Sequence, residues 1–179
     1  MVRESRAVAD LLLSDADEEQ WHQAIIIDNR LQKNRPATAK RAGQAIRKRL
    51  EKLEPPFWQA LRDGDDQVAT QVSFCATMAR NLLLVEFLES VVTDAFLTQA
   101  EALQAYQWDE FLAERAHRDE AIAGWAESSR RKMGQVVYRM LADVGVLASS
   151  RSRQLQPLLL RPEVKSLLET YQHVRLSAC

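Results

Sequence analysis

Apolar residues recur at helical spacing along most of the chain, and this pattern constrains the fold more than any other feature. Three- and four-residue spacing places side chains on one face of an α-helix. Glycine is scarce, with five among 179 residues, and strand-like alternation is nearly absent before residue 146. The sequence therefore predicts a mainly α protein, a compact helical bundle. Its central helices, at 66–80 and 82–97, carry one stripe of Val68, Val72, Cys75, Met78 and Leu82 and another of Leu84, Phe87, Leu88, Val91, Val92 and Phe96.

Turn residues set the boundaries of the other predicted helices. Ser14, followed three residues later by Asp17, resembles a capping box that opens a second helix, and Pro36 suits the first turn of a third. Ser128 or Ser129 can cap a helix that ends at Gly145, with Met133, Val136, Val137, Met140 and Leu141 as its buried face. The predicted ranges are 4–13, 14–32, 36–54, 57–61, 108–116, 119–125, 128–143 and 162–171.

The sequence just after Gly145 lacks the helical spacing of the preceding segments and predicts short strands instead. Residues 146–147 and 155–160 are short apolar runs separated by a polar turn, which allows a small C-terminal β-hairpin, and 174–176 can add an edge strand. Pro157 argues against a central strand. Helix, helix and hairpin in this order predict helix-turn-helix-like, winged-helix-like elements. We expect an N-terminal helical part, 1–127, with a basic helix at 36–54 and acidic core helices, and a C-terminal part, 128–179, packed together as one globular unit.

Positive charge is concentrated in two segments of a chain whose net charge is −1. Residues 30–54 carry nine basic and two acidic side chains, and residues 128–179 carry nine and three. The segments 1–29 and 55–127 are acidic, with net charges of −5 and −9. Such blocks favour a polyanionic partner over general basicity, although a solvated charged face is the simpler alternative.

The two basic segments supply the candidate binding residues. Basic groups near the start of a helix can contact phosphates, and polar groups there can reach base edges in a major groove. In the second segment, arginines near the start of a helix oppose the helix dipole, which calls for another reason for their presence. The candidates are Arg30, Lys33, Arg35, Thr38, Lys40, Arg41, Arg47 and Lys48, and then Ser129, Arg130, Arg131, Lys132, Gln135 and Arg139, with Arg151 and Arg153 as a wing.

Catalytic and cofactor-binding patterns are missing from the sequence. His22, His117 and His173 lack ligand spacing, and there is no glycine-rich phosphate loop or nucleophile elbow. We therefore expect no enzyme activity, no cofactor and no metal. The acidic start predicts no export signal, and no apolar run is long enough for a membrane span. Cys75 and Cys179 form no disulfide framework, so we expect a cytoplasmic protein.

Several short runs resemble the BrxA family, a core component of BREX phage-defence systems. The N-terminal runs are Asn29-Arg30-Leu31-Gln32, Thr38-Ala39-Lys40-Arg41 and Arg49-Leu50. The C-terminal ones are Ser128-Ser129-Arg130-Arg131-Lys132-Met133, Val136, Arg139-Met140-Leu141, Gly145 and Gln156-Pro157-Leu158. The resemblance implies a non-enzymatic, mainly helical protein that binds double-stranded DNA beside a methyltransferase and other defence components. It also implies a fold like that of the antitermination protein NusB.

Residue pattern and resemblance together predict a double-stranded DNA-binding accessory protein that acts mainly through phosphate contacts. Other BREX proteins are further expected partners, and we expect a monomer or weak dimer with no membrane association. Two alternatives remain open at the level of sequence. One is an adaptor that docks defence subunits such as the methyltransferase, and the other is a NusB-like RNA-binding protein.

Overall fold

A computed structural model describes the backbone of residues 2–177 and the side chains of residues 2–171. The described chain is mainly helical, as predicted, and it contains no β-strand in this range. Cys179 lies outside the described residues, as does the side chain of His173. The helices are α1 (Val2–Leu13), α2 (Glu18–His22), α3 (Pro36–Leu50), α4 (Pro55–Asp63), α5 (Asp66–Met78), α6 (Leu82–Phe87), α7 (Thr93–Leu97), α8 (Tyr106–Ala116), α9 (Glu120–Ala123), α10 (Glu127–Val144) and α11 (Pro162–Ser177).

The chain divides into two compact units. The first contains the residues up to Arg80 together with those from Leu160 onward, and the second runs from Asn81 to Leu159. In the first unit, α1, α3, α4 and α5 pack together, and α11 adds Val164 to the same core. Its fully buried side chains include Val8, Leu31, Leu50, Leu61 and Val72.

The second unit is built around a cluster of aromatic rings. The ring of Phe87 lies 5.1 Å from Trp108, 5.3 Å from Phe111 and 6.2 Å from Tyr138, each in an edge-to-face arrangement. This geometry suits the ring quadrupoles. Leu112 and Leu141 are fully buried beside them. The cluster fixes α8 against α10, which matters for the cavity described below.

Two predicted helices contain a π-helical turn. The helix that begins at α2 continues as a π-turn over Gln23–Ile27 and ends there, rather than at residue 32. The predicted helix 82–97 is α6 and α7 joined by a π-turn over Leu88–Val92, where the Thr93 hydroxyl donates to the carbonyl of Leu88 at 2.9 Å. Such single turns are rare and are poorly marked in sequence.

The helix caps differ from the predicted ones in two places. Asp17, not Ser14, caps α2: its carboxylate accepts from the Gln20 amide at 2.8 Å, and the Gln20 side chain accepts from the Asp17 amide at 2.9 Å. Ser14 instead donates to the carbonyl of Leu11 at the end of α1. Helix α10 begins at Glu127 with Ala126 as a cap that makes no side-chain bond, so the predicted serine cap is wrong.

The ends and faces of α3 and α10 also differ in detail. Helix α3 stops at Leu50, not 54, and Glu54, which precedes Pro55, has an extended backbone. Helix α10 ends at Gly145, as predicted, with φ +91°. Its buried face is rotated from the predicted one, and Val136 is 53% exposed. The buried residues are Gly134, Val137, Tyr138, Leu141 and Val144.

The two predicted hairpin strands shrink to one antiparallel bridge, between Leu147 and Leu155. The residues around Leu155 are shared with a second neighbour, since Gln154 also bridges to Ala102 and the Leu155 amide donates to the carbonyl of Glu101 at 2.9 Å. The pairing with Glu101 cannot continue through residue 157, because Pro157 has no amide hydrogen. The pairing with Val146 ends because Val144 belongs to helix α10. The edge strand predicted at 174–176 is wrong, because this segment continues α11.

No single helix within residues 2–177 is long and apolar enough to cross a membrane. Within the described residues, one pair of helical segments, Asp66–Met78 and Leu82–Leu97, is long and apolar enough when taken together, and it is bent by 106°.

Candidate nucleic-acid interface

Helix α3 presents the first group of candidate residues on a well-anchored scaffold. Arg35 precedes it in extended backbone, with φ −136° and ψ +136°, and Pro36 occupies its first turn. Ala39, Gly43, Ile46 and Leu50 form its buried face. A Cβ on Gly43 would lie 3.4 Å from the Ile25 side chain, so the two helices approach closely there. The opposite face of α3 is therefore held outward.

The exposed face of α3 carries Thr38, Arg41 and Lys48, with Lys40 at its edge. Arg41 and Lys48 are seven residues apart, so they lie on the same side of the helix and about 10 Å apart along its axis. Neither of them, nor Lys40 or Arg35, forms an ion pair with a side chain of residues 2–171. These four cations remain available to an external anion.

Three other cations of the first block are used inside the protein. Arg30 pairs with Asp10 at 2.9 Å, and Lys33 pairs with Glu4 at 2.7 Å. The hydrogen bond from Lys33 holds the pKa of Glu4 at about 2, well below its ordinary value. Arg47 contacts Glu51 at 2.8 Å and lies 4.6 Å from the centre of the Trp21 ring. We therefore assign these three residues a structural role.

These pairs fix the loop that leads into α3. The Asn29 side chain accepts from the Lys33 amide and donates to the Lys33 carbonyl, both at 2.9 Å. Asn29 and Gln32 have φ values of +47° and +49°, a backbone conformation that residues other than glycine seldom adopt. Arg3 donates to the Gln32 side chain. Helix α1 thus holds the loop at several points, and the start of α3 with it.

The second group of candidates lies on α10. Ser129, Lys132, Gln135 and Arg139 are exposed. Arg131 is also exposed and contacts Glu127, one turn earlier, at 3.3 Å. Exposed pairs of this kind contribute little stability, so Arg131 can exchange Glu127 for another anion.

Arg130 is turned inward. Its guanidinium donates to the carbonyl of Ala123 at 2.9 Å and to that of Ile122 at 3.4 Å. It therefore satisfies carbonyls at the end of α9 and holds that short helix against α10.

The two arginines predicted as a wing differ in placement. Arg151 is exposed in the turn. Arg153 is half-buried, donates to the carbonyl of Leu103 at 3.1 Å and lies 5.7 Å from the centre of the Tyr138 ring. Arg153 also lines a cavity, together with Arg131, Gln135 and Arg139.

The structure thus sorts the sixteen predicted residues into several sets. The α3 surface, a name used below for Arg35, Thr38, Lys40, Arg41 and Lys48, is exposed on or just before one helix. Arg131, Gln135, Arg139 and Arg153 are brought together around one cavity. Ser129, Lys132 and Arg151 stand exposed elsewhere in the second unit, and Arg30, Lys33, Arg47 and Arg130 are engaged internally.

Sequence reasoning missed several neighbours of these residues. Gln44 is exposed between Arg41 and Lys48, and its three-residue spacing from Arg41 could have identified it. Asp109 and Ser150 line the cavity on α10 but come from distant segments, so no local pattern could have found them.

The described part of the chain contains neither a cluster of metal ligands nor a reactive cysteine thiol. It contains no group of three or more histidine, cysteine, aspartate or glutamate side chains able to hold a metal ion. Burial raises the pKa of the Cys75 thiol to about 11, which keeps it protonated and unreactive near neutral pH.

Comparisons with known proteins connect this arrangement to one family. The BrxA family model matches residues 1–172. A protein of Paramagnetospirillum magneticum (strain ATCC 700264 / AMB-1) named "BREX protein BrxA" is 39% identical over 165 residues, 92% of this chain and 83% of that protein. A protein with the same name from Escherichia coli O9:H4 (strain HS) is 36% identical over 169 residues, 94% and 79% of the respective chains.

A solved structure shares the fold as well. The crystal structure of an uncharacterized protein from Magnetospirillum magneticum superposes with a TM-score of 0.86 at 35% sequence identity, covering 99% of this chain and 91% of that one. Family model, relatives and fold agree over nearly the whole length. The chain therefore belongs to the BrxA family of BREX phage-defence systems.

Proposed function

We propose that the chain is an accessory protein that binds double-stranded DNA, mainly through phosphate contacts. The observation that carries this proposal is the α3 surface. Its four cations have no carboxylate partner among the described residues, whereas Arg30, Lys33 and Arg47 of the same block are each paired. A protein that needed these charges only for its own stability would pair them as well.

Helix α3 has the shape that duplex binding requires. Its 15 residues span about 22 Å, and a B-DNA major groove about 12 Å wide admits one helix. Arg41 and Lys48 have long basic side chains that can contact phosphates. Thr38 and Gln44 offer hydrogen-bonding groups for base edges. Because most of the contacts are ionic, we expect binding that tolerates changes of sequence.

The exposed cations of α10 and its following turn form a second proposed contact surface. Lys132, Arg139 and Arg151 are exposed without an ion pair in the described ranges. Arg130 is left out of this surface because it donates to backbone carbonyls of its own unit, and Arg153 because it is half-buried at the cavity.

The α3 surface is tested by reversing two charges. Arg41→Glu with Lys48→Glu leaves the buried face intact, so the variant should fold normally and bind a 30-base-pair duplex at least tenfold more weakly in fluorescence anisotropy. The matched control is Arg80→Glu with Lys165→Glu, which changes the net charge equally at exposed sites outside the proposed surfaces. A folded site variant with unchanged affinity, or a control that loses as much, would remove α3 from the proposal.

An adaptor role is the second candidate. The observation that favours it is the exposure of Leu158 and Leu159 in an irregular segment, since exposed leucines suit a protein partner better than a phosphate backbone. Leu159→Asp should then abolish capture of a purified BREX methyltransferase in the presence of nuclease, while Arg41→Glu with Lys48→Glu should leave it unchanged. Capture that disappears with nuclease would instead indicate bridging by DNA.

RNA binding is separated by competition at one salt concentration. If the α3 surface enters a major groove, unlabelled duplex DNA should displace a labelled duplex more effectively than double-stranded RNA of the same length, because the major groove of A-form RNA is deep and narrow. Equal competition by the two duplexes would contradict groove entry by α3.

A further inference from the structure

The second unit contains a cavity that duplex binding through α3 does not use. It has a volume of about 400 Å³ and lies between α8, α10 and the turn at 149–153. Cavities of about 300–1,000 Å³ are typical of small-molecule sites.

Three arginines give this cavity its charge. Arg131 and Arg139 lie on α10 at either end of a row with Gln135, each four residues from the next, so the row follows one face of the helix. Arg153 faces them from the turn, and Asp109 on α8 is the acidic lining residue. The lining residues therefore carry two positive charges in excess, and they match a dianion when Arg131 exchanges its exposed contact with Glu127 for the ligand.

Arg153 is held in place before any ligand arrives. Its φ is +51°, a left-handed conformation that is strained for a non-glycine residue. The turn sustains this conformation, because the Arg153 amide donates to the Ser149 carbonyl at 2.9 Å and the Ser152 amide donates to the Ser149 hydroxyl at 3.0 Å. The guanidinium is oriented by the Leu103 carbonyl and the Tyr138 ring. Strain of this kind collects where a side chain must be aimed.

The floor of the cavity is rigid. Gly134 lies so close to Trp108 that an added Cβ would stand 2.6 Å from the indole Cδ1 atom. The Trp108 indole donates to the Arg130 carbonyl at 3.0 Å, and the Tyr138 hydroxyl donates to the Gln104 carbonyl at 2.9 Å. The cations above this floor therefore keep their spacing.

We propose that this cavity binds the phosphate monoester of a small molecule about the size of a nucleotide. A monoester carries nearly two negative charges at neutral pH, and guanidinium groups bind phosphate oxygens in bidentate geometry. Gln135 and Ser150 supply neutral hydrogen-bonding groups for the rest of the ligand. A duplex backbone can touch the exposed Arg131 and Arg139, but half-buried Arg153 requires a group that enters the cavity.

This inference goes beyond the proposed function. It uses no residue of the α3 surface and shares only Arg139 with the second proposed contact surface. The monoester could come from a free nucleotide or from the 5′ end of a DNA strand. The two sources present the same chemistry to the arginines, and the experiment separates them.

The first measurement is calorimetric titration of the whole chain with AMP, ribose 5-phosphate, inorganic phosphate and adenosine. We expect saturable 1:1 binding of AMP or ribose 5-phosphate, weaker binding of inorganic phosphate and none of adenosine. Adenosine binding as tight as AMP, or no binding of the three phosphates at millimolar concentration, would overturn the proposal. A blunt duplex with 5′-phosphates that displaces AMP better than the same duplex with 5′-hydroxyl ends would identify the strand end as the natural source.

The second measurement uses variants of exposed residues that should not disturb folding. Arg139→Glu should weaken AMP binding by at least about tenfold, as expected for loss of a charge-assisted bond, and Arg139→Lys should restore part of it. Arg118→Glu is the matched control, since Arg118 is exposed in the same unit and does not line the cavity. Equal losses in Arg139→Glu and Arg118→Glu would overturn the proposal in favour of a general charge effect.

The two proposals fail separately. Arg41→Glu with Lys48→Glu should bind AMP like the unchanged chain, whatever its affinity for duplex DNA. If that variant loses AMP binding, the ligand sits on the α3 surface and the cavity assignment is wrong. If it binds AMP normally but also retains duplex affinity, the α3 surface is removed from the duplex proposal and the cavity proposal stands.

Discussion

The pair of Glu4 and Lys33 shows how one cation of the basic block is used inside the protein, and it makes stability depend on pH. The pKa of Glu4 is about 2 in the folded chain, against 4.5 for an unperturbed glutamate, chiefly because Lys33 donates to it. A lowered folded pKa adds stability that is complete above about pH 4.5 and is lost as the pH falls toward 2. Partial exposure screens the pair, so we expect Glu4→Gln to cost about 1.5 kcal/mol at pH 7.

Urea unfolding of Glu4→Gln at pH 7 and pH 3 checks this expectation. The difference from the unchanged chain should shrink at the lower pH. Glu110→Gln, an exposed change on α8, serves as a control that should behave alike at both pH values. A Glu4→Gln deficit that is as large at pH 3 as at pH 7 would assign the loss to packing instead of charge.

Glycine is needed at position 134 because the backbone of α10 approaches Trp108 closely there, and not because of its backbone angles. Alanine there gains about 1 kcal/mol of helix propensity, but its Cβ would stand 2.6 Å from Trp108, whose ring is held by a hydrogen bond. Overpacking of this kind costs about 1–3 kcal/mol, so we expect Gly134→Ala to lower the free energy of unfolding. Gly124→Ala meets no atom closer than 3.7 Å and should be neutral or stabilising in the same chemical denaturation. A Gly134→Ala variant as stable as Gly124→Ala would show that the indole can move.

At the scale of helices, Arg130 joins α9 to α10. Helix α9 has four residues and cannot stand alone, and Arg130 donates to the carbonyls at its end. We expect Arg130→Gln to raise hydrogen exchange across 120–124 and to destabilise the chain by about 1–2 kcal/mol, while Lys132→Gln changes neither. If Arg130→Gln leaves exchange unchanged but weakens duplex binding, Arg130 belongs to the contact surface after all.

Most helices were predictable because their signals are local, whereas the errors of helix face and of strand pairing arose where the signal is not local. Pro36 and Gly145 marked helix ends, and both stand where the structure has them. The face of α10 was misjudged because Gly134 is buried for its small size, which apolar spacing does not register. The hairpin was reduced because residues near Leu155 pair with Glu101, more than fifty positions earlier, and no local pattern reveals that competition.

The candidate binding residues show the same contrast between local and long-range signals. Exposed cations on regular helix faces, such as Arg41 and Arg139, were recognised from charge clustering. The internal use of Arg30 and Lys33 was not, because their partners lie on α1, twenty or more residues away. Charge density in sequence therefore overestimates the number of cations that remain available to a ligand.

At the scale of the molecule, this correction has a measurable consequence for duplex binding. The slope of log affinity against log salt is about −0.9 for each phosphate neutralised. If all thirteen cations among the predicted residues made contacts, the slope would approach about −12. The α3 surface alone offers four cations and predicts about −4, and adding Lys132, Arg139 and Arg151 predicts about −6.

Affinity measured between 50 and 300 mM NaCl decides among these values. We expect a slope between about −4 and −6, reduced by about 2 in Arg41→Glu with Lys48→Glu and unchanged in Arg80→Glu with Lys165→Glu. A slope near zero would contradict binding through phosphates. A slope near −12 would mean that DNA competes successfully with Asp10 and Glu4 for their partners, so that the ion pairs between α1 and the loop before α3 open when the duplex binds.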